Sequence, residues 1–133
     1  MKPSANQEAQ MWLRQAEADF SALDLLLQAG KYDLVCFLAQ QVAEKALKAF
    51  LIFSGEELIP YHSIAKLCEL ALPFDAYFDE LRKQIKNLTP YYVEARYPNA
   101  LEEIPADYFD HNDAEQALAM SKAALEFVKS RVR

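Results

Sequence analysis

Apolar residues recur at helical spacing along nearly the whole chain, and no segment alternates as a strand would. Ala9, Trp12, Ala16, Phe20, Leu23 and Leu27 fall three or four apart and predict a first helix from about Asn6 to Ala29, with Gly30 as its C-terminal cap. A second helix is expected to start after Asp33, read as its N-cap, and to run to Ser54, with Gly55 as its stop. Two long helices joined by so short a turn must lie antiparallel. Glu56–His62 reads as a loop. Ser63 then caps a short helix, Ile64–Leu72, which Pro73 terminates.

Asp75 is the expected cap of a fourth helix, whose stripe is Phe74, Phe78, Leu81, Ile85, Leu88 and Tyr92. Pro90 lies inside that stripe and predicts a kink or break near Asn87–Thr89. Arg96–His111 is an irregular loop with two prolines. Asn112 followed by Glu115 suggests a capping box for a fifth helix, whose small residues Ala114, Ala117, Ser121 and Ala124 permit close approach to a neighbour. The pattern predicts a single domain over residues 1–133. It is an all-α, up-and-down bundle of four to five helices with a short helix in a crossover loop.

The second helix departs from ordinary amphipathicity. Leu38, Val42, Ala46, Ala49 and Phe53 fill one side, and Ala39, Ala43, Leu47 and Phe50 fill much of the rest. Gln40, Gln41, Glu44, Lys45 and Lys48 are squeezed into the remaining sector, with Glu44 four residues before Lys48, the favourable order for a helical ion pair. Such a helix needs neighbours on several sides, so Val42 and Phe50 are expected to be buried. The polar stripe becomes a seam where a ligand or partner can bind.

Composition narrows the class. Hydrophobic residues make up 53% of the 133, and only two are glycine, which favours helices over disorder. No apolar run reaches the ~20 residues that span a bilayer, and Met1–Gln10 does not read as a signal peptide, so a soluble, cytoplasmic protein is expected. Cys36 and Cys68 sit in apolar helical surroundings and read as reduced, buried thiols. The net charge of −6 is local: six acids and no Lys or Arg lie between Tyr97 and Ser121, and the rest of the chain balances at 14 acids and 14 bases. No strongly basic nucleic-acid footprint is visible.

Candidate chemistry is sparse. His62, just before the Ser63 cap, can meet a phosphate or carboxylate, or simply bond backbone. Tyr91, Tyr92, Arg96 and Tyr97 gather where the fourth helix ends. Arg96 offers a planar fork for phosphate and the tyrosines offer stacking surfaces; alternatively Arg96 caps carbonyls and the tyrosines seal the bundle. Lys45 and Lys48 can present two cations to a phosphate, or pair and lie along apolar surface. No metal-ligand spacing, Gly-rich phosphate loop or nucleophile motif occurs, so no catalytic residue, metal or cofactor is assigned.

With these residues in view, the chain resembles the HEPN domains (higher eukaryotes and prokaryotes nucleotide-binding). The resemblance rests on the Phe37–Ala49 helix, the Gly55 stop, His62 before a leucine-bearing helix, and Arg96-Tyr97-Pro98 after the fourth helix. It implies a helical bundle that forms homodimers through its long helices. It also implies a small nucleotidyltransferase partner in a toxin–antitoxin-like pair. Other members are ribonucleases with an Arg followed a few residues later by a His. Here the corresponding positions are Leu101, Glu102 and Glu103 after Arg96, Asn87, Leu88 and Thr89 after Arg82, and Asp19, Phe20 and Ser21 after Arg14. The resemblance is therefore to the minimal, stand-alone type without that motif.

The leading expectation is a non-catalytic module that binds a nucleotide, a nucleotidyltransferase, or both, through Lys45, Lys48, His62, Tyr92, Arg96 and Tyr97. RNA is a less favoured ligand and a membrane is not expected. The alternatives are a degenerate ribonuclease using Arg96 and His62, and a purely structural dimerisation adaptor.

Overall fold

Glycine sets the ends of both long helical stretches. The computed structural model describes residues 2–132. In it Gly30 and Gly55 take φ values of +73° and +107°, which L side chains rarely adopt. The Lys31 N–H donates to the Leu26 carbonyl and the Gly30 N–H to Leu27, both at 3.0 Å. Glu56 and Gly55 repeat the pattern on Leu51 and Ile52, again at 3.0 Å. Each is a Schellman closure that satisfies helix-end carbonyls.

The helices are α1 (Ala5–Ser21), α2 (Leu23–Gln28), α3 (Tyr32–Phe53), α4 (Ile64–Ala71), α5 (Phe78–Ile85), α6 (Tyr91–Glu94), α7 (Pro105–Tyr108) and α8 (His111–Lys129). No strand occurs among the described residues. Nor is any described helix long and apolar enough to cross a membrane.

The central element is α3, which packs most heavily on α1 and α8. Cross-contacts give the directions. Lys45 meets Asp19 and Lys48 lies over Trp12, so α1 and α3 run antiparallel as expected. Asp75 meets Arg131 and Phe78 meets Phe127, so the α5 segment opposes α8. Tyr32 contacts His111 near the starts of α3 and α8, while Phe50 and Phe127 share Phe78 near their ends. The four main segments therefore go up, down, up and down. Val42 is fully buried and Phe50 is 5% exposed. Ala114, Ala117, Ser121 and Ala124 are all buried on α8, as close helix approach requires.

Several local expectations need correction. The first helix breaks at Ala22, which serves as the C-cap of α1 and the N-cap of α2. Lys31, not Asp33, holds the N-cap position of α3; Asp33 lies in the first turn, where its charge faces the helix dipole. Asp75 stands before α5 rather than at its N-cap, accepting from the Tyr77 N–H at 2.9 Å. The capping box of α8 is Asp110 with Asp113, not Asn112 with Glu115. Phe53 is exposed rather than packed. The expected break before Pro90 is present as a 3₁₀ turn over Lys86–Leu88, and the 96–111 loop carries the short α7.

Both cysteines are free and buried. Burial, reinforced by the charges of Asp113, Asp33 and Asp110, pushes the Cys36 thiol up to about 12. Burial does the same for Cys68, also to about 12, with Arg82 pulling the other way. Neither thiol is a poised nucleophile.

Candidate functional site

A carboxylate buried on α3 organises the polar seam. The Glu44 side chain is 6% exposed and neighbours the Lys48 side chain, 9% exposed, whose Nζ donates to Oε2 at 3.0 Å. Gln40 Nε2 donates to Glu44 Oε1 at 3.2 Å and to the His62 carbonyl at 2.8 Å. Gln41 Nε2 donates to Gln40 Oε1 at 2.8 Å and lies 3.4 Å from Glu44 Oε1. His62 Nδ1 completes the set, 3.2 and 3.1 Å from the two Glu44 oxygens. Buried polar groups persist only when partnered, and every member of this stripe is.

The local sequence explains why His62 stands there. Ser63 caps α4 by accepting the Lys66 N–H at 3.2 Å, which places His62 at the last residue before that cap. The Ala65 N–H donates to Thr89 Oγ1 at 3.1 Å, joining the start of α4 to the turn before α6. That turn brings Tyr92 over His62: the rings stack with centroids 4.2 Å apart and planes 8° from parallel. His62 remains 48% exposed and lines a depression of about 390 Å³ with Ser63, Thr89, Pro90, Tyr92, Val93 and Glu94.

Arg96 follows α6 one turn beyond Tyr92. Its Nε donates to the Tyr92 carbonyl at 2.7 Å, so it caps a helix-end carbonyl. Its guanidinium carbon lies 4.4 Å from the Tyr92 ring centroid, 4.7 Å from Phe37 and 4.8 Å from Tyr97. Three rings thus support a solvent-exposed cation. Among the described residues no carboxylate pairs with it. The nearby Tyr91 hydroxyl is pushed up to about 12, chiefly by burial, and its ring packs on Phe109.

Of the six sequence-nominated residues, His62, Tyr92, Arg96 and Tyr97 are brought together. Lys48 reaches them only through Glu44, and its charge is already spent there; its Nζ also lies 5.7 Å from the Trp12 ring centroid. Lys45 sits apart, paired with Asp19 of α1 beside Met11, Trp12 and Gln15. The sequence places Glu44 in the polar seam as a partner for Lys48 and gives Phe37 no role of its own at the site. The available signal was Gln40, Glu44 and Lys48 at four-residue intervals on an otherwise apolar helix.

An all-helical bundle with a buried carboxylate seam, opening onto an aromatic-supported arginine, defines the class. The chain belongs to the HEPN domain family, whose model matches residues 9–131. It is 27% identical over 131 residues to MJ1304 of Methanocaldococcus jannaschii, named as a candidate toxin, covering 91% of this chain and 86% of that protein. The crystal structure of TT1696 from Thermus thermophilus superposes with a TM-score of 0.83 at 35% identity, covering 92% of this chain and 96% of that one. That of ST0689, an archaeal HEPN homologue, gives 0.73 at 30% identity over the full length of both chains.

Proposed function

We propose that this HEPN domain is the non-catalytic binding member of a toxin–antitoxin-like pair. In this reading the His62–Tyr92–Arg96–Tyr97 surface receives a nucleotide or docks a small nucleotidyltransferase. The observation that carries it is the Arg96 guanidinium, exposed, in ion pair with no carboxylate among the described residues, and held against three rings beside the His62–Tyr92 stack. The Nη groups suit a phosphate and the rings suit a base. The candidate-toxin name of MJ1304 supports the toxin–antitoxin setting. A homodimer built through the long helices and a cytoplasmic location belong to the same proposal.

The test is a thermal-shift screen across a nucleotide panel, on the native protein and on Arg96→Ala, since Lys45 lies apart from this surface. A ligand of the native state raises the melting temperature by mass action. The expected result is a shift with a nucleotide that vanishes in the variant. A silent panel, with co-purification of a nucleotidyltransferase that also vanishes in the variant, keeps the docking half alone. Silence in both rejects the reading.

One observation favours a second reading. His62 and Arg96 both contact the Tyr92 ring, so a base and a cation converge from separate parts of the chain. A degenerate ribonuclease using this pair would cleave single-stranded RNA and lose that cleavage in Arg96→Ala.

A further inference from the structure

We infer that Glu44 is a positioning residue that fixes the ring tautomer of His62 and thereby makes His62 Nε2 the hydrogen-bond acceptor of the site. The inference rests on the nucleotide reading above for its ligand, but not for its tautomer.

Both Glu44 oxygens lie within 3.2 Å of Nδ1. A carboxylate is acceptor-only, so Nδ1 must carry the proton and a neutral His62 must leave Nε2 bare. The carboxylate itself cannot turn away. Lys48 holds Oε2 from the same helix, and Gln40 holds Oε1 while also bonding the His62 carbonyl. The backbone and the ring of His62 are therefore anchored to one network. Stacking on Tyr92 at 8° holds the plane of the imidazole, and a half-turn within that plane would take Nδ1 off Glu44. Nε2 has no partner among the described residues, and the ring lines the 390 Å³ depression.

An oriented carboxylate–imidazole pair is the arrangement by which proteins choose which ring nitrogen meets a ligand. Here the chosen nitrogen accepts, while the exposed guanidinium of Arg96 donates. The ligand that matches both is a nucleotide whose phosphate meets Arg96 and whose ribose hydroxyl or base N–H donates to His62. An anion with no proton to donate, such as sulfate, would satisfy Arg96 alone.

The test is long-range ¹H–¹⁵N correlation of the imidazole at a pH where His62 is neutral, first without ligand. The expected pattern has the proton on Nδ1 in the native protein. In Glu44→Leu/Lys48→Met, which removes the buried charges as a pair, the population should move to the Nε2–H form. Glu44→Gln serves as a second variant, keeping the shape while weakening the acceptor. A native ring protonated on Nε2, or a pattern unchanged in a folded double variant, overturns the role of Glu44.

AMP and sulfate are then titrated. AMP should move the Nε2 resonance, and sulfate, which has no proton to donate, should perturb Arg96 without doing so. AMP binding by calorimetry with Nε2 unmoved overturns the acceptor role and leaves the nucleotide reading standing. No binding of any panel nucleotide removes that reading and the acceptor role together, while the tautomer result stands on its own.

Discussion

Replacing Glu44 by leucine strands a cation inside the bundle. Lys48 Nζ pairs with Glu44 and lies over the Trp12 ring, and its side chain is 9% exposed. Removing one partner of a buried pair costs about 3–5 kcal/mol. At roughly 2.1 cal/mol/K of unfolding entropy per residue, a 133-residue chain loses about 3.6 °C of melting temperature per kcal/mol. Glu44→Leu should therefore lower the midpoint by about 11–18 °C. Lys48→Met should cost less, about 1–3 kcal/mol, because Gln40, Gln41 and His62 still donate to Glu44. The double variant should recover most of the loss, since an apolar pair of similar volume often replaces a buried ion pair without penalty. Urea unfolding followed by far-UV circular dichroism gives the double-mutant cycle. A buried, mutually dependent pair gives a coupling of about 2 kcal/mol or more. Additive single variants would refute it, as would a Glu44→Leu loss under about 1 kcal/mol, which would show Lys48 reaching water instead.

Three further outcomes test other parts of the structure. Val42→Asp places an unpaired carboxylate at a fully buried site on α3, so loss of cooperative helical unfolding is expected in circular dichroism. A folded, unchanged variant would misplace α3. Burial alone would raise the Asp75 carboxyl, but the Arg131 hydrogen bond, the Tyr77 N–H and the Arg131 charge outweigh it and hold the group below its ordinary value. Such a carboxylate stabilises the fold above its unfolded pKa of about 3.9 and loses that contribution as pH falls through the folded value. The gap between native protein and Asp75→Asn, about 0.5–1 kcal/mol near neutrality, should therefore close below about pH 4 in acid titrations of stability. Cys36 and Cys68, both raised to about 12, should resist a thiol reagent at mildly alkaline pH until the protein is unfolded. Because their folded values lie above the unfolded one, their contribution is complete below about pH 8.5 and fades as pH climbs toward the folded value.

Local chemistry was legible where one residue type decides the conformation. Gly30 and Gly55 mark helix ends because few other residues accept their φ, and Ser63 caps α4 through its own hydroxyl. Competing caps were harder to separate. Asp110 with Asp113 and Asn112 with Glu115 both satisfy the capping spacing, and the helix forms on the first. The break at Ala22 carries no Gly or Pro to announce it. The site was legible in its members but not in its assembly. His62 and Arg96 are far apart in the chain, and their meeting at Tyr92 depends on the tie between Ala65 and Thr89. Lys45 and Glu44 are adjacent in sequence, yet Lys45 meets α1 while Glu44 meets His62. That difference is set by the neighbours of α3 rather than by its own residues.

The central claim is that the aromatic-supported arginine receives a nucleotide, and the most direct measurement is isothermal calorimetry on native protein, Arg96→Ala and Arg96→Lys. The expected result is saturable heat with a nucleotide, abolished in Arg96→Ala and weakened in Arg96→Lys, which keeps the charge but loses the planar fork. Binding that is unchanged in a folded Arg96→Ala would contradict the account.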